Sequence, residues 1–225
     1  MNYEFLAIIP ARKNSKRIKN KNFKLLNGKP LIWYTIKEAK KIKKIDKIIV
    51  SSDDKRILSF ANKQKVDSVL RPANISLSNT QQENVIKHVV NYYQEQKINF
   101  KYVILLQPTS PLRKSIDISN CMNLIKNKNI NSVISVYKKK LFTWKKIEKN
   151  YLPDNYNPLQ RARSQKLKPY IIENGAIYVF KLNEFKKQKF KSRVIKKYAL
   201  YQMPEIRSVD IDDIEDFNLA SHILK

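Results

Sequence analysis

The sequence predicts an α/β protein of three layers, in which helices cover both faces of a mostly parallel sheet. Two observations lead to this class. Short apolar segments alternate along the chain with segments whose apolar residues recur at helical spacing. The apolar segments, among them residues 103–106, are continuously apolar, which is typical of strands that a parallel sheet buries on both faces.

Each element follows from a local pattern. The predicted strands are short apolar runs that end at proline or polar residues, and they cover residues 4–10, 47–51, 66–70, 102–106, 132–136, 176–180 and 198–202. Pro30 suits the first turn of a helix, and Asp53 and Asp54 can cap the next one, which runs to about residue 62. Further helices are predicted from Thr80, over 115–126 and over 213–224.

The alternation breaks between residues 138 and 170, a stretch that holds Trp144, Arg161 and Arg163 but shows no clear period. A structureless loop of this length is uncommon inside a compact domain, so the stretch is predicted to be an insertion with its own role. We therefore expect a single domain over residues 1–225 that carries 138–170 as an inserted segment.

The chain is strongly basic, with 46 Lys and Arg against 19 Asp and Glu and a net charge of +27. This charge fits a polyanionic partner, either nucleic acid or a phosphate-rich small molecule. Only nine of the cations are arginine, however, and lysine scattered over a surface also serves solubility. A non-catalytic nucleic-acid-binding protein is an alternative, but the sequence shows no reading helix or aromatic RNA platform, so we expect no nucleic-acid partner.

Composition also excludes several classes. The single cysteine, Cys121, excludes a disulfide framework and a cysteine-rich zinc site. No apolar run is long enough to cross a bilayer, and the chain opens on a predicted strand without an apolar leader. We expect a cytoplasmic protein without a membrane partner.

A basic loop follows the first strand. Residues 11–22 contain six Lys or Arg together with Ser15 and Asn22, and such a loop offers ammonium and guanidinium groups to phosphate oxygens. It lacks the glycines of a Walker A loop or a dinucleotide fingerprint, and Asn14 is expected to supply the backbone freedom instead. An ordinary solvated loop is the alternative interpretation.

A polar turn, residues 107–113, follows the fourth strand. Its two prolines fix the turn, while Gln107 and Thr109 come at the carboxyl end of the strand, where open α/β sheets bind ligands. Arg71 follows the third strand and reaches the same edge. A rigid turn explains the prolines but not the polar residues between them.

An acidic pair precedes the last helix. In a strand, alternation would place Asp210 and Asp212 on one side, where two carboxylates suit Mg²⁺. Capping of the last helix by Asp212 or Asp213 is the alternative. Cations, polar turn and acidic pair at one sheet edge together predict a nucleotidyl-transfer site, in which the cations hold a triphosphate and an acceptor hydroxyl attacks in line.

The motifs resemble those of the acylneuraminate cytidylyltransferases, the CMP-sialic acid synthetases with their CMP-legionaminate and CMP-pseudaminate relatives. The resemblance rests on segments in family order over nearly the whole chain: 9–16, 19–22, 50–53, 70–73, 105–113, 173–178 and 207–212. It implies a Rossmann-like sheet of the nucleotide-diphospho-sugar transferase type. It also implies Mg²⁺-dependent transfer of CMP from CTP to the anomeric hydroxyl of a nonulosonate, with release of pyrophosphate.

The resemblance further implies roles for individual residues. The nucleotide would be bound by Arg12, Ser15, Lys16, Lys21, Asn22, Arg71 and Thr80. The sugar would be bound by Gln107, Thr109, Ser110, Asn174 and Tyr178. Asp210 and Asp212 would hold Mg²⁺ and, with Arg12, Lys16 and Lys21, form the catalytic set. The segment 138–170 would build a homodimer contact that reaches into the neighbour's site.

Two departures from the family pattern bear on the substrate. Asn14 stands where many members have glycine, and Ile172 stands where some members have an arginine that is a candidate for the sugar carboxylate. Arg161 or Arg163 would then substitute. The resemblance leaves the identity of the nonulosonate open, and CMP-Kdo synthesis is the alternative among enzymes.

Overall fold

The computed structural model describes residues 1–15, 17–161 and 163–225. In chain order its strands are β1 (Asn2–Pro10), β2 (Leu25–Leu26), β3 (Lys29–Pro30), β4 (Lys47–Ser52), β5 (Asp67–Leu70), β6 (Asn99–Leu106), β7 (Ser132–Lys139), β8 (Trp144–Ile147), β9 (Asn150–Pro153), β10 (Tyr170–Lys181) and β11 (Tyr198–Gln202). The α-helices are α1 (Leu31–Lys40), α2 (Lys55–Lys63), α3 (Gln82–Glu95), α4 (Ser115–Ile125), α5 (Leu182–Lys187) and α6 (Ile214–Ile223).

Seven strands form the central sheet in the order β11-β7-β10-β6-β1-β4-β5. All neighbouring pairs are parallel except those of β10, which runs antiparallel to both β6 and β7. The chain leaves the sheet after β7 and returns beside it, and the described residues in between form no α-helix that could cross over the sheet, so β10 runs in the opposite direction. The predicted mostly parallel sheet is confirmed.

Helices cover both faces of the sheet. Ala7 and Ile9 of β1 pack in one apolar cluster with residues of α1, α2 and α4, whereas Leu6 and Ile8 pack in a second cluster with residues of α3 and α5. Because successive strand residues point to opposite faces, a strand that is apolar throughout needs both covers. The predicted three-layer α/β architecture is confirmed.

The structure differs from the sequence-based expectations in several elements. Two elements, the short helix α5 and the β8–β9 hairpin, were not expected. The hairpin lies in the insertion, which spans residues 140–169 between β7 and β10. α3 begins at Gln82 rather than Thr80, and Asp54 alone caps α2, since its carboxylate accepts the Arg56 N–H at 2.9 Å.

Residues 208–212 pair with no strand, so the strand alternation considered for Asp210 and Asp212 does not apply. None of the helices in the described ranges combines the length and apolar character that crossing a lipid bilayer requires.

Candidate active site

A cavity of about 380 Å³ opens at the carboxyl edge of the sheet, and we call it the first cavity. Arg12 lines it after β1, Arg71 after β5, and Gln107 and Thr109 after β6. The carboxyl ends of these parallel strands meet at one edge, so segments far apart in the sequence converge there. Further residues of its lining are Ser15, Arg17, Lys21, Asn22, Leu77, Ser78, Thr80, Gln82, Val85, Asp210 and Asp212.

The basic loop is fixed by its own polar contacts. Asn22 is buried, and its Nδ2 donates to the carbonyl of Arg12 at 3.0 Å, while the backbone N–H of Lys13 donates to Asp53 Oδ1 at 2.7 Å. Among the described residues of this loop, the left-handed backbone position is Asn20, with φ of 54°, and not Asn14 as expected. Lys16, expected to bind the nucleotide and to be catalytic, lies outside the described residues.

Lys21 crosses from this loop to the acidic pair. Its Nζ donates to the carbonyl of Ile211 at 2.5 Å and lies 3.8 Å from Asp212 Oδ1. Burial lowers the pKa of Lys21, although Asp212 and Asp210 oppose that change. Arg17, which sequence reasoning did not assign, pairs with Asp212 through Nη1 at 2.9 Å. The sequence feature that could have pointed to Arg17 is that it is one of the six Lys and Arg residues in the basic loop.

Asp210 and Asp212 lie at the rim of the first cavity, next to the polar turn. The N–H of Ile211 donates to the carbonyl of Thr109 at 2.8 Å, which ties the acidic segment to the end of β6. Asp210 is exposed at the cavity mouth, yet the atoms packed around its carboxylate screen it from water, and this desolvation raises its pKa. The Thr109 side chain opposes the rise by hydrogen bonding.

The acidic pair fits Mg²⁺ only together with a nucleotide. Within the described ranges, no group of three or more His, Cys, Asp or Glu side chains converges as a metal site. Mg²⁺ is often held by one or two carboxylates plus substrate phosphates and water, so two aspartates beside a cationic cavity suit this mode. Asp212, already paired with two cations, would have to exchange a partner for the metal.

Arg71 forms a rigid part of the cavity wall. It is buried, and its guanidinium donates from Nη2 to the carbonyl of Ser51 at 2.8 Å and from Nε to Ser51 Oγ at 3.3 Å. Burial lowers the pKa of Arg71 to about 10, so the side chain stays charged at neutral pH. The end of β4 therefore holds this cation in place.

A second cavity of about 560 Å³ adjoins the first. Among the described residues, Asp210 is the one that lines both. Tyr178 lines the second cavity and donates its hydroxyl to Glu173. Lys139 also lines it and pairs with Glu205 at 2.8 Å.

Two residues expected to bind the sugar, Ser110 and Asn174, have buried side chains. Ser110 is fully buried and is not among the lining residues of either described cavity. Asn174 borders the second cavity, but its amide is already bonded: Oδ1 accepts from Ser135 Oγ at 2.6 Å, and Nδ2 donates to Ser208 Oγ at 2.9 Å. Its side chain thus joins β7, β10 and the segment before Asp210.

Gly175 separates the two cavities. Its φ is +68°, and a Cβ built on it would lie 3.4 Å from Gln107 Nε2 and 3.8 Å from Asp210 Oδ2. We call Gln107, Gly175 and Asp210 the dividing wall.

Gly175→Ala is expected to lower both stability and activity. The left-handed backbone costs an alanine about 1–2 kcal/mol, measured as free energy of unfolding in urea. The new methyl would also contact the Gln107 amide and Asp210 at ordinary van der Waals distance, at the point where the two cavities meet, and should lower kcat. Gly28→Ala is the matched control, because Gly28 has φ of +77° with nothing within 4 Å of the built Cβ. Equal loss of kcat in both variants would contradict this account.

The fold and the site together define an α/β protein whose sheet carries, at its carboxyl edge, a cavity lined by cationic and acidic side chains. Comparison with known proteins identifies the family. The sequence profile described as Cytidylyltransferase matches residues 6–223, so the chain belongs to the cytidylyltransferase family.

Individual relatives agree with this assignment. The chain is 33% identical to an N-acylneuraminate cytidylyltransferase of Streptococcus agalactiae, over 94% of this chain and 51% of that protein. It is 30% identical to the CMP-N,N'-diacetyllegionaminic acid synthase of Legionella pneumophila, over 98% of this chain and 96% of that protein. The chain spans about half the length of the first of these curated relatives. The resemblance drawn from the motifs is confirmed.

A solved structure shares the fold. The structure of CMP:2-keto-3-deoxy-manno-octonic acid synthetase complexed with CTP superposes with a TM-score of 0.69 over 98% of each chain, at 14% identity.

Proposed function

We propose that the protein transfers CMP from CTP to the anomeric hydroxyl of a nonulosonate, releases pyrophosphate and requires Mg²⁺. The observation that carries the proposal is the first cavity, which brings Arg12, Lys21 and Arg71 together with Asp210 and Asp212. A cavity with these cations and carboxylates suits a metal-bound triphosphate. The named activities of the relatives give the nucleotide and the class of acceptor.

The two cavities divide the substrates between them. CTP would occupy the first cavity, its phosphates beside Arg12, Ser15 and Lys21. The acceptor would occupy the second cavity beside Tyr178, and its carboxylate would face Lys139, which already pairs with a carboxylate there. Since Asp210 lines both cavities, the reacting atoms would meet at the dividing wall.

The chemistry needs positioning and charge stabilisation rather than a protein nucleophile. The anomeric oxygen bonds to the α-phosphorus, the bond from that phosphorus to the bridging oxygen breaks so that pyrophosphate leaves, and the hydroxyl proton passes to solvent water. When bound, Mg²⁺ would neutralise charge on the phosphates. Lys21 and Arg12 would hold the departing pyrophosphate, and Gln107, as part of the dividing wall, would orient the acceptor.

A substrate panel tests the proposal. Pyrophosphate release is measured with CTP and Mg²⁺ in the presence of N-acetylneuraminate, legionaminate, pseudaminate or Kdo, and with EDTA in place of Mg²⁺. We expect release with a nonulosonate and none with EDTA. A preference for Kdo would mean that the acceptor is Kdo and not a nonulosonate. The absence of pyrophosphate release with every sugar would refute the proposed activity. A cytoplasmic location stays a prediction.

We propose in addition that the chain forms a homodimer through the insertion. Its exposed apolar side chains include Trp144, Tyr151 and Leu159, and Leu159 is 92% exposed. Exposed apolar groups on one protruding segment are typical of a protein interface. Light scattering should give twice the 26.6 kDa mass of the chain. Replacing Trp144 and Tyr151 with Ser should give the monomer mass, and an unchanged dimer would place the interface elsewhere.

A further inference from the structure

Arg113 is a buried cation that takes part in no ion pair among the described residues. The residue is 1% exposed. Its Nη1 donates to the carbonyls of Gln107 at 3.1 Å and Ala176 at 2.8 Å, and its Nη2 donates to Thr35 Oγ1 at 2.7 Å. Burial lowers the pKa of Arg113 to about 10, so it is charged at neutral pH.

The two carbonyls belong to the dividing wall. Gln107 is part of the wall, and Ala176 directly follows Gly175, at an irregularity in the pairing of β10 with β7. One guanidinium therefore joins the end of β6 to the point where β10 approaches Gln107 and Asp210. Because both hydrogen bonds come from Nη1, Arg113 fixes the spacing between the backbone at Gln107 and the backbone at Ala176 without lining either cavity.

A purely structural role does not account for this choice of residue. The carboxylates of Asp117 and Glu38 act on the guanidinium without forming an ion pair with it. Burying a charge that is not directly paired is costly. A planar guanidinium supplies something apolar groups lack, namely several donors in a rigid geometry.

We propose that Arg113 is a positioning residue for CMP transfer, which holds Gln107 and Gly175 at the separation the reacting substrates require. The inference rests on the proposed function. It predicts that loss of Arg113 mainly affects turnover, because Arg113 touches neither cavity and the groups that bind CTP stay in place.

The test compares Arg113→Met with Thr35→Val. Both variants remove a polar contact from the same buried cluster, but Thr35→Val leaves both carbonyl contacts of Arg113 intact. We expect Arg113→Met to lower kcat by about 10²-fold, the usual effect of a misplacement near 1 Å. The KM for CTP should change less than about threefold, since ground-state binding is retained. Thr35→Val should keep nearly normal kcat.

A second measurement does not depend on activity. Amide hydrogen exchange at residues 107–110 and 175–178 should become at least about tenfold faster in Arg113→Met but not in Thr35→Val. Unchanged exchange, or faster exchange with normal kcat, would overturn the inference. If the wild-type protein releases no pyrophosphate while exchange behaves as expected, the proposed function fails and the positioning of the wall stands. Should Arg113→Met not fold, Arg113→Lys, which keeps the charge but not the planar donors, gives the same comparison.

Discussion

Asp210→Asn is expected to lower kcat for CMP transfer by about 10³-fold, equivalent to about 4 kcal/mol of transition-state stabilisation. Asparagine keeps the size of the side chain and can still bond to Thr109, so the change removes chiefly the negative charge. Asp212→Asn should act in the same direction. Initial rates of pyrophosphate release at varied Mg²⁺ concentration measure both effects, and each variant should need more Mg²⁺ for half of its maximal rate.

Asp213→Asn is the matched control. Asp213 is next to the acidic pair and caps α6, with its Oδ1 accepting the N–H groups of Glu215 and Asp216 at 3.0 Å each. Asparagine caps helices about as well as aspartate, so this variant loses the same charge without loss of the helix start. A near-normal rate for Asp213→Asn is expected. If Asp210→Asn kept its rate, or if all three variants lost the same rate, the acidic pair would not be the metal site.

The sequence predicted the architecture well because strands that are buried on both faces have a simple, continuously apolar sequence pattern. The second halves of β1 and β6, residues 5–10 and 102–106, are apolar without interruption, which is typical of strands that helices cover on both sides. It also placed Arg12, Gln107 and Arg71 at one edge, since parallel strands end together. The hairpin β8–β9 escaped prediction because its side chains are mostly exposed, so no face of it carries an apolar period.

Individual side chains of the site were less predictable. Ser110 and Asn174 are polar residues within motifs, and the sequence does not tell whether such residues face a cavity or satisfy buried backbone. Asn174 does the latter, because the irregular pairing of β10 leaves backbone and hydroxyl groups that need a partner. Asp210 and Asp212 do not alternate as in a strand, because their segment bonds to Thr109 and to Lys21 instead of a neighbouring strand.

Lys21→Met is expected to lower kcat/KM for CTP by about 10²–10³-fold, the usual effect of removing one group that stabilises transition-state charge. The Lys21 side chain is 12% exposed and joins the basic loop to Ile211 and Asp212. Methionine fills a similar space, so the variant should fold, but it leaves Asp212 with one cation fewer. Steady-state rates at varied CTP measure the effect.

Lys19→Met separates this specific ammonium group from the general positive field of the protein. Lys19 belongs to the same loop and is exposed, so its loss removes equal charge at the surface. Attraction between exposed charges is screened within about 8 Å at physiological ionic strength. The small defect expected in Lys19→Met should therefore vanish as salt is raised. The defect in Lys21→Met should persist, because a half-buried ammonium beside a carboxylate acts at contact distance. Equal defects that salt removes in both variants would mean that the loop attracts CTP without binding its phosphates individually.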